Sequence, residues 1–189
     1  MENNYSEKEV PFDSNLLIIG GSGRNVGKTS LALILFEKYK HFKMLGLKVS
    51  SHRKNEENYH GAHTFYPADN YKIIQEQGIQ PWKDTARMVN AGASSAYYIE
   101  AASDMISFAY NDFNQKYNPN HFPVICESRS LRKHIKPGAF ILLIDTMDKI
   151  SNDDINSADL IYRYKDGLDN LANLATQIRL NENGWFIDH

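Results

Sequence analysis

Two hydrophobic periods alternate along this chain. Short apolar runs at 15–20, 45–51, 95–100, 122–127 and 139–145, rich in Leu, Ile and Val, predict strands, and 158–163 adds a sixth. Helical spacing fills most of the gaps. Leu31 to Leu35 begins one helix, and Lys83 to Ala93 holds a short one ended by Gly92. Ile106, Ala109, Tyr110, Phe113 and Tyr117 recur at helical spacing after Ser103, a candidate N-cap, and Pro119 closes that element. Leu168, Leu171, Ala172, Ala175 and Ile178 predict a last helix running to about Asn181. Strands alternating with helices predict an α/β domain whose mostly parallel sheet is covered by helices on both faces, three layers in all. Such a fold binds ligands at the carboxyl ends of its strands.

Residues 53–83 break this rhythm. The segment from Arg53 to His60 is strongly polar, and aromatics, His63, Pro67 and Pro81 follow. We read 53–83 as an insertion, helical around Tyr71–Gln77, of the kind that carries lids or binding loops. Residues 1–13 are polar and predict a flexible start, which leaves 14–189 as a single domain. Exposed Trp82 beside Pro81 is a candidate binding aromatic.

The sharpest chemical signal lies between the first strand and first helix, in Gly20-Gly21-Ser22-Gly23-Arg24-Asn25-Val26-Gly27-Lys28-Thr29-Ser30. Glycines let successive backbone N–H groups turn toward one anion, and the helix N-terminus adds its positive end. Lys28 supplies a point charge, and the Thr29 hydroxyl is a magnesium ligand. This predicts a phosphate-loop (P-loop) NTPase fold, with Gly23, Arg24, Asn25, Val26, Gly27, Lys28, Thr29 and Ser30 holding the phosphates of a nucleoside triphosphate. One position departs from the usual pattern: Ser22 stands where the motif carries Gly. A dinucleotide loop fits worse, because Val26 occupies the place of its third Gly and the second strand, Leu47 to His52, ends without an acid.

A triphosphate site needs magnesium, and a carboxylate ending a neighbouring strand is the customary holder. Two strands end so, in Glu127 and in Asp145. Asp84 either caps the short helix or, with Thr85 and Arg87, faces the same triphosphate.

Composition narrows the class. The 189 residues carry 21 basic and 23 acidic side chains, net −2, which is not the footprint of a nucleic-acid binder. Arg129, Arg132, Lys133, His134 and Lys136 do cluster, as a solvated loop or as a surface for substrate phosphates. Cys126 is the one cysteine, and no leading apolar segment points to secretion or a membrane, so the expected compartment is the cytoplasm. Spacings of eight and three among His52, His60 and His63 match no zinc pattern.

Three separated pieces share an order with a known family. The loop from Gly21 to Thr29, the strand end Val49-Ser50-Ser51-His52 and the block Asp84-Thr85-Ala86-Arg87 through Ala91-Gly92-Ala93 resemble the adapter (B protein) family of molybdopterin-guanine dinucleotide biosynthesis, over roughly residues 15–130. Glu127 falls where that family carries a strand-terminal Glu. Ser51 and Ser128 stand where it usually has Lys and Gly. The resemblance implies a homodimeric GTP-binding protein with weak GTPase activity that assists a molybdenum-cofactor nucleotidyltransferase. It makes Gly27, Lys28 and Thr29 ligands of phosphate and magnesium, and puts Glu127 and Asp84 in the metal or water network. Lys28, Asp84 and Glu127 are then the catalytic set, and Thr29, Glu127 and Asp145 the metal candidates. The loop alone also resembles dethiobiotin synthetase and the cobyrinate amidating enzymes, ATP-dependent ligases acting on small acids. In that reading the stretch from Arg129 to Lys136 holds an anionic substrate. No Asn-Lys-x-Asp signature selects guanine, so the nucleotide is GTP or ATP, with Mg2+.

Overall fold

The structure, a computed structural model, describes residues 10–52, 71–78, 80–145, 150–163 and 169–188. Seven strands form one sheet: β1 (Phe12–Gly21), β2 (Leu45–His52), β3 (Tyr71–Gln75), β4 (Ser95–Ala102), β5 (Val124–Ser128), β6 (Lys136–Ile144) and β7 (Leu160–Arg163). Their order is β3-β4-β2-β5-β1-β6-β7. Every pairing is parallel except β3 with β4. Leu16, Leu17, Ile18 and Ile19 of β1 are all fully buried, as a central parallel strand covered on both faces requires.

Alternation sends those four residues to two cores. Leu17 and Ile19 join one cluster with Leu31, Leu35 and Phe36 of α1 (Lys28–Lys38), Met88 of α2 (Asp84–Asn90) and Leu171 and Leu174 of α5 (Asp169–Gln177). Leu16 and Ile18 join the other, with Ile106, Tyr110 and Phe113 of α3 (Ile106–Tyr117), and Ile155 of α4 (Asn152–Ser157) packs on that side. The sheet is therefore flanked by helices on both faces. A 3-10 turn, Ser103–Met105, leads into α3.

Three expectations change. Tyr71–Gln75 is not helical: it is the antiparallel edge strand β3, registered from Tyr71↔Ala101 to Gln75↔Tyr97. Tyr71 and Ile73, two apart, pack on the core that holds α3, which is strand periodicity. Residues 71–75 of the expected insertion thus belong to the sheet, while 53–70, with His60 and His63, lies outside the described residues. The last helix stops at Gln177, and Ile178–Asn181 turns into β8, paired with β9 (Gly184–Ile187). Gly184 sits at φ 111° beside the Ser14 carbonyl, where a Cβ would come within 2.2 Å of that oxygen. The first strand begins at Phe12 rather than after 13, because Phe12 and Asp13 pair with Lys136 and Pro137 and Asp13 accepts the Tyr110 hydroxyl at 2.8 Å.

Candidate functional site

β1 ends at Gly21 and α1 begins at Lys28, so Ser22–Gly27 forms the connecting loop. Gly27 occupies the left-handed region at φ 92°, which costs other L-residues roughly 1–2 kcal/mol. Among the described residues no side chain caps α1, and no acid lies in its first turn. Its first N–H groups have no carbonyl of their own helix to bond, so the positive end stays available to an outside anion. α4 shows the ordinary alternative: Ser151 accepts the Asp154 amide, and Asp153 and Asp154 fill the first turn.

Ser22 explains its departure from the motif. Buried to 2% exposure, its hydroxyl donates to Asp145 Oδ1 at 2.8 Å and accepts the Asp145 amide at 3.1 Å, and its own amide bonds the Leu143 carbonyl. A glycine would leave the loop without this two-way clip to the end of β6.

At the carboxyl ends of β1, β2 and β5 lies an open cleft of about 720 Å³. Arg24, Asn25, Gly27, Lys28, Thr29 and Ser30 line it from the loop side. Of the other loop residues expected there, Val26 is buried in the core beside α1, and Gly23 contributes its carbonyl, which accepts the Lys28 ammonium. Burial pushes the Lys28 pKa down from the ordinary lysine range, and Glu127 and Asp84 oppose that shift.

Thr29 is the junction of the site. Its hydroxyl oxygen lies 3.1 Å from Glu127 Oε2 on β5 and 3.3 Å from Asp84 Oδ1 on α2. One hydroxyl has a single hydrogen for these two carboxylates. The other Glu127 oxygen, Oε1, is buried and has no hydrogen-bond partner among the described residues. Burial, and secondarily the Asp84 charge, pushes the Glu127 pKa up to about 7. Two carboxylates and a hydroxyl converging with a carboxylate oxygen unpartnered form an all-oxygen donor set. That suits magnesium, which takes its remaining positions from water or phosphate. Among the described residues no three His, Cys, Asp or Glu side chains converge.

Asp84 is not the cap of α2; Lys83 holds that position, and the Asp84 carboxylate binds the Lys48 ammonium and lies 3.9 Å from Arg87. Thr85 points elsewhere and donates to Glu76 at 2.6 Å. Asp145 sits with Ser22 and is not among the residues lining the cleft, so of the two strand-end acids it is Glu127 that meets Thr29. The basic stretch divides. Arg129 lines the cleft, whereas Arg132 binds Asp153 and Asp154 of α4, each at 2.7 Å. Ser128, where the resembling family has Gly, accepts the amides of Ser130 and Leu131. Cys126 is fully buried, and burial pushes its thiol pKa well up. Trp82 is exposed.

Lys48 is the one charged lining residue that the sequence reading missed. Its signal was a lone cation inside the otherwise apolar run Leu45-Gly46-Leu47-Lys48-Val49, and its register partner on β5 is Glu127.

Compared with known proteins, the chain matches no family model, no curated protein and no solved structure. No helix among the described residues is long and apolar enough to cross a membrane.

Proposed function

We propose that this is a P-loop protein whose cleft binds a magnesium nucleoside triphosphate and hydrolyses it slowly. One observation carries the reading: the uncapped start of α1 brings Thr29 between Glu127 and Asp84 while Lys28 lines the same cleft. The first-turn amides of α1 hold phosphate oxygens, and Lys28 exchanges the Gly23 carbonyl for the terminal phosphates. Thr29, Glu127 and Asp84 hold magnesium directly or through water, and the ion when bound neutralises charge on the β- and γ-phosphate oxygens. A bound ion would favour the ionised form of Glu127, the form that can ligate it. Following the three-part resemblance, we further propose a homodimeric, cytoplasmic, GTP-binding adapter that partners a molybdenum-cofactor nucleotidyltransferase.

A thermal-shift series with GTP, ATP and their diphosphates, with and without magnesium, tests the reading. A ligand at a hundred times its dissociation constant stabilises by about 2.7 kcal/mol, which at this size is a rise on the order of 5–10 °C. Stabilisation by GTP alone supports the adapter, and stabilisation by ATP alone supports a ligase or kinase on a small acid. Lys28→Ala removes charge-assisted hydrogen bonds worth roughly 1.5–3 kcal/mol each and is expected to abolish the shift. A shift that survives this change would place the nucleotide elsewhere.

A further inference from the structure

β2 turns its two faces to different surroundings, and one cation interrupts its apolar run. Leu45, Leu47 and Val49 join the core that holds α3, so Gly46, Lys48 and Ser50 face the side of α1 and α2. Gly46 admits α2 closely, since a Cβ there would stand 3.0 Å from the Met88 sulfur. Lys48 is the next residue on this face toward the cleft, and its register partner on β5 is Glu127. The sheet thus sets a lysine beside the buried carboxylate of the site.

The ammonium is not directed at Glu127 alone. It binds Asp84 Oδ2, while Asp84 Oδ1 lies 3.3 Å from the Thr29 hydroxyl. Arg87 approaches Asp84 only to 3.9 Å, beyond hydrogen-bond reach, which makes Lys48 the principal cation on that carboxylate. The Lys48 charge also reaches Glu127 and Lys28, and it pulls both of their pKa values down. Asp84 therefore already has a cation, whereas Glu127 Oε1, buried, has no hydrogen-bond partner among the described residues. A divalent ion drawn to these two carboxylates must displace the ammonium from one of them. With 35% of its side chain exposed, Lys48 has a flexible stem that can carry its charge off Asp84 into the cleft. The anion that arrives there with the ion is the polyphosphate.

Resting on the nucleotide reading above, we propose that Lys48 is a positioning residue that stands in for the metal. It holds Asp84 while the cleft is empty and yields it when a polyphosphate takes up the ammonium, so the cleft selects the metal–nucleotide complex over the free ion. By linkage, the factor by which nucleotide tightens the ion is the factor by which the ion tightens nucleotide.

The test is manganese binding to the whole chain, followed through the spin resonance of the free ion at constant pH near neutral. Without nucleotide, Lys48→Met is expected to bind manganese about tenfold or more tightly than the unaltered chain, because repulsion between a divalent ion and an ammonium roughly 5 Å apart is worth about that much even at the dielectric constant of water. Lys48→Gln should behave alike, and Lys48→Arg should bind as weakly as the unaltered chain. Adding Asp84→Asn to Lys48→Met should cancel the gain. The factor by which manganese tightens a nonhydrolysable triphosphate analogue should shrink about tenfold in Lys48→Met. Unchanged ion affinity in the two neutral variants, the result a merely structural ion pair gives, overturns the assignment. So does a gain that Lys48→Arg shares or that survives Asp84→Asn, or an unchanged coupling factor. The ion measurements need no nucleotide, so they decide the Lys48 stand-in separately. Absence of analogue binding by the unaltered chain, with or without the ion, removes the nucleotide reading and the selection step with it.

Discussion

Replacing Glu127 by Gln separates the stability of the empty fold from its ligand binding, and the two are expected to move in opposite directions. Glu127 is 5% exposed, and its carboxyl, ordinarily near 4.5, is pushed up to about 7 by burial and then by Asp84. At about 1.4 kcal/mol per tenfold change in acidity, ionising it in the native chain costs roughly 2–4 kcal/mol. Folding raises this pKa, so the native state binds the proton more tightly than the unfolded state. The contribution is therefore fully favourable below about pH 4.5 and is lost as pH rises to about 7. Gln has the same shape and no charge. Without metal or nucleotide, Glu127→Gln should match the unaltered chain near pH 4 and exceed it by roughly 2–4 kcal/mol at pH 8, about 4–16 °C in midpoint. Urea unfolding read by the fluorescence of Trp185, which is 3% exposed, measures this in a chelator-containing buffer. With magnesium and nucleotide the order reverses, because only the carboxylate can hold the ion. A Gln variant less stable at pH 8, or a difference that is the same at both pH values, would refute the buried-carboxylate reasoning.

Two further substitutions probe neighbouring features. Ser22→Ala removes both hydrogen bonds that join the loop to Asp145 and should lower stability by about 1–3 kcal/mol in urea unfolding; an unchanged midpoint would mean the clip is not formed in solution. Arg132→Ala leaves Asp154, nearly buried, without its guanidinium and should cost roughly 2–4 kcal/mol. Its nucleotide-dependent shift should persist, and loss of that shift would return Arg132 to the cleft.

What the sequence disclosed follows from how local each signal is. β1, its loop and α1 were readable because a buried central strand is continuously apolar and the glycines that follow sit beside Lys28 and Thr29. β3 was misread because five residues of a short edge strand, half exposed, carry almost the same apolar count at either period. The end of α5 was misread because Ile178 continues the helical spacing, although Asn183-Gly184 two positions after Asn181 was a hairpin signal in plain view. In the site, Thr29 and Glu127 are legible as helix-start and strand-end residues respectively. The choice between Glu127 and Asp145 was not readable, since it depends on which strand lies on which side of β1. Lys48 was missed for the same reason: its neighbour across the sheet lies 79 residues away in Lys48↔Glu127 pairing.

Among the described residues the strand partners of β1 are β5 and β6, which bears on how the molecule is made. Leu16 meets Val124, so at about 5–20 residues per second a ribosome needs roughly 5–20 s to deliver a partner for the strand that leads into the loop. Until then Leu16–Ile19 lacks both of its strand partners, and of its later cover only α1 is already made. Glu127 emerges with the strand that ends the wait, so β1 gains its first partner and the cleft its strand-end carboxylate at nearly the same moment.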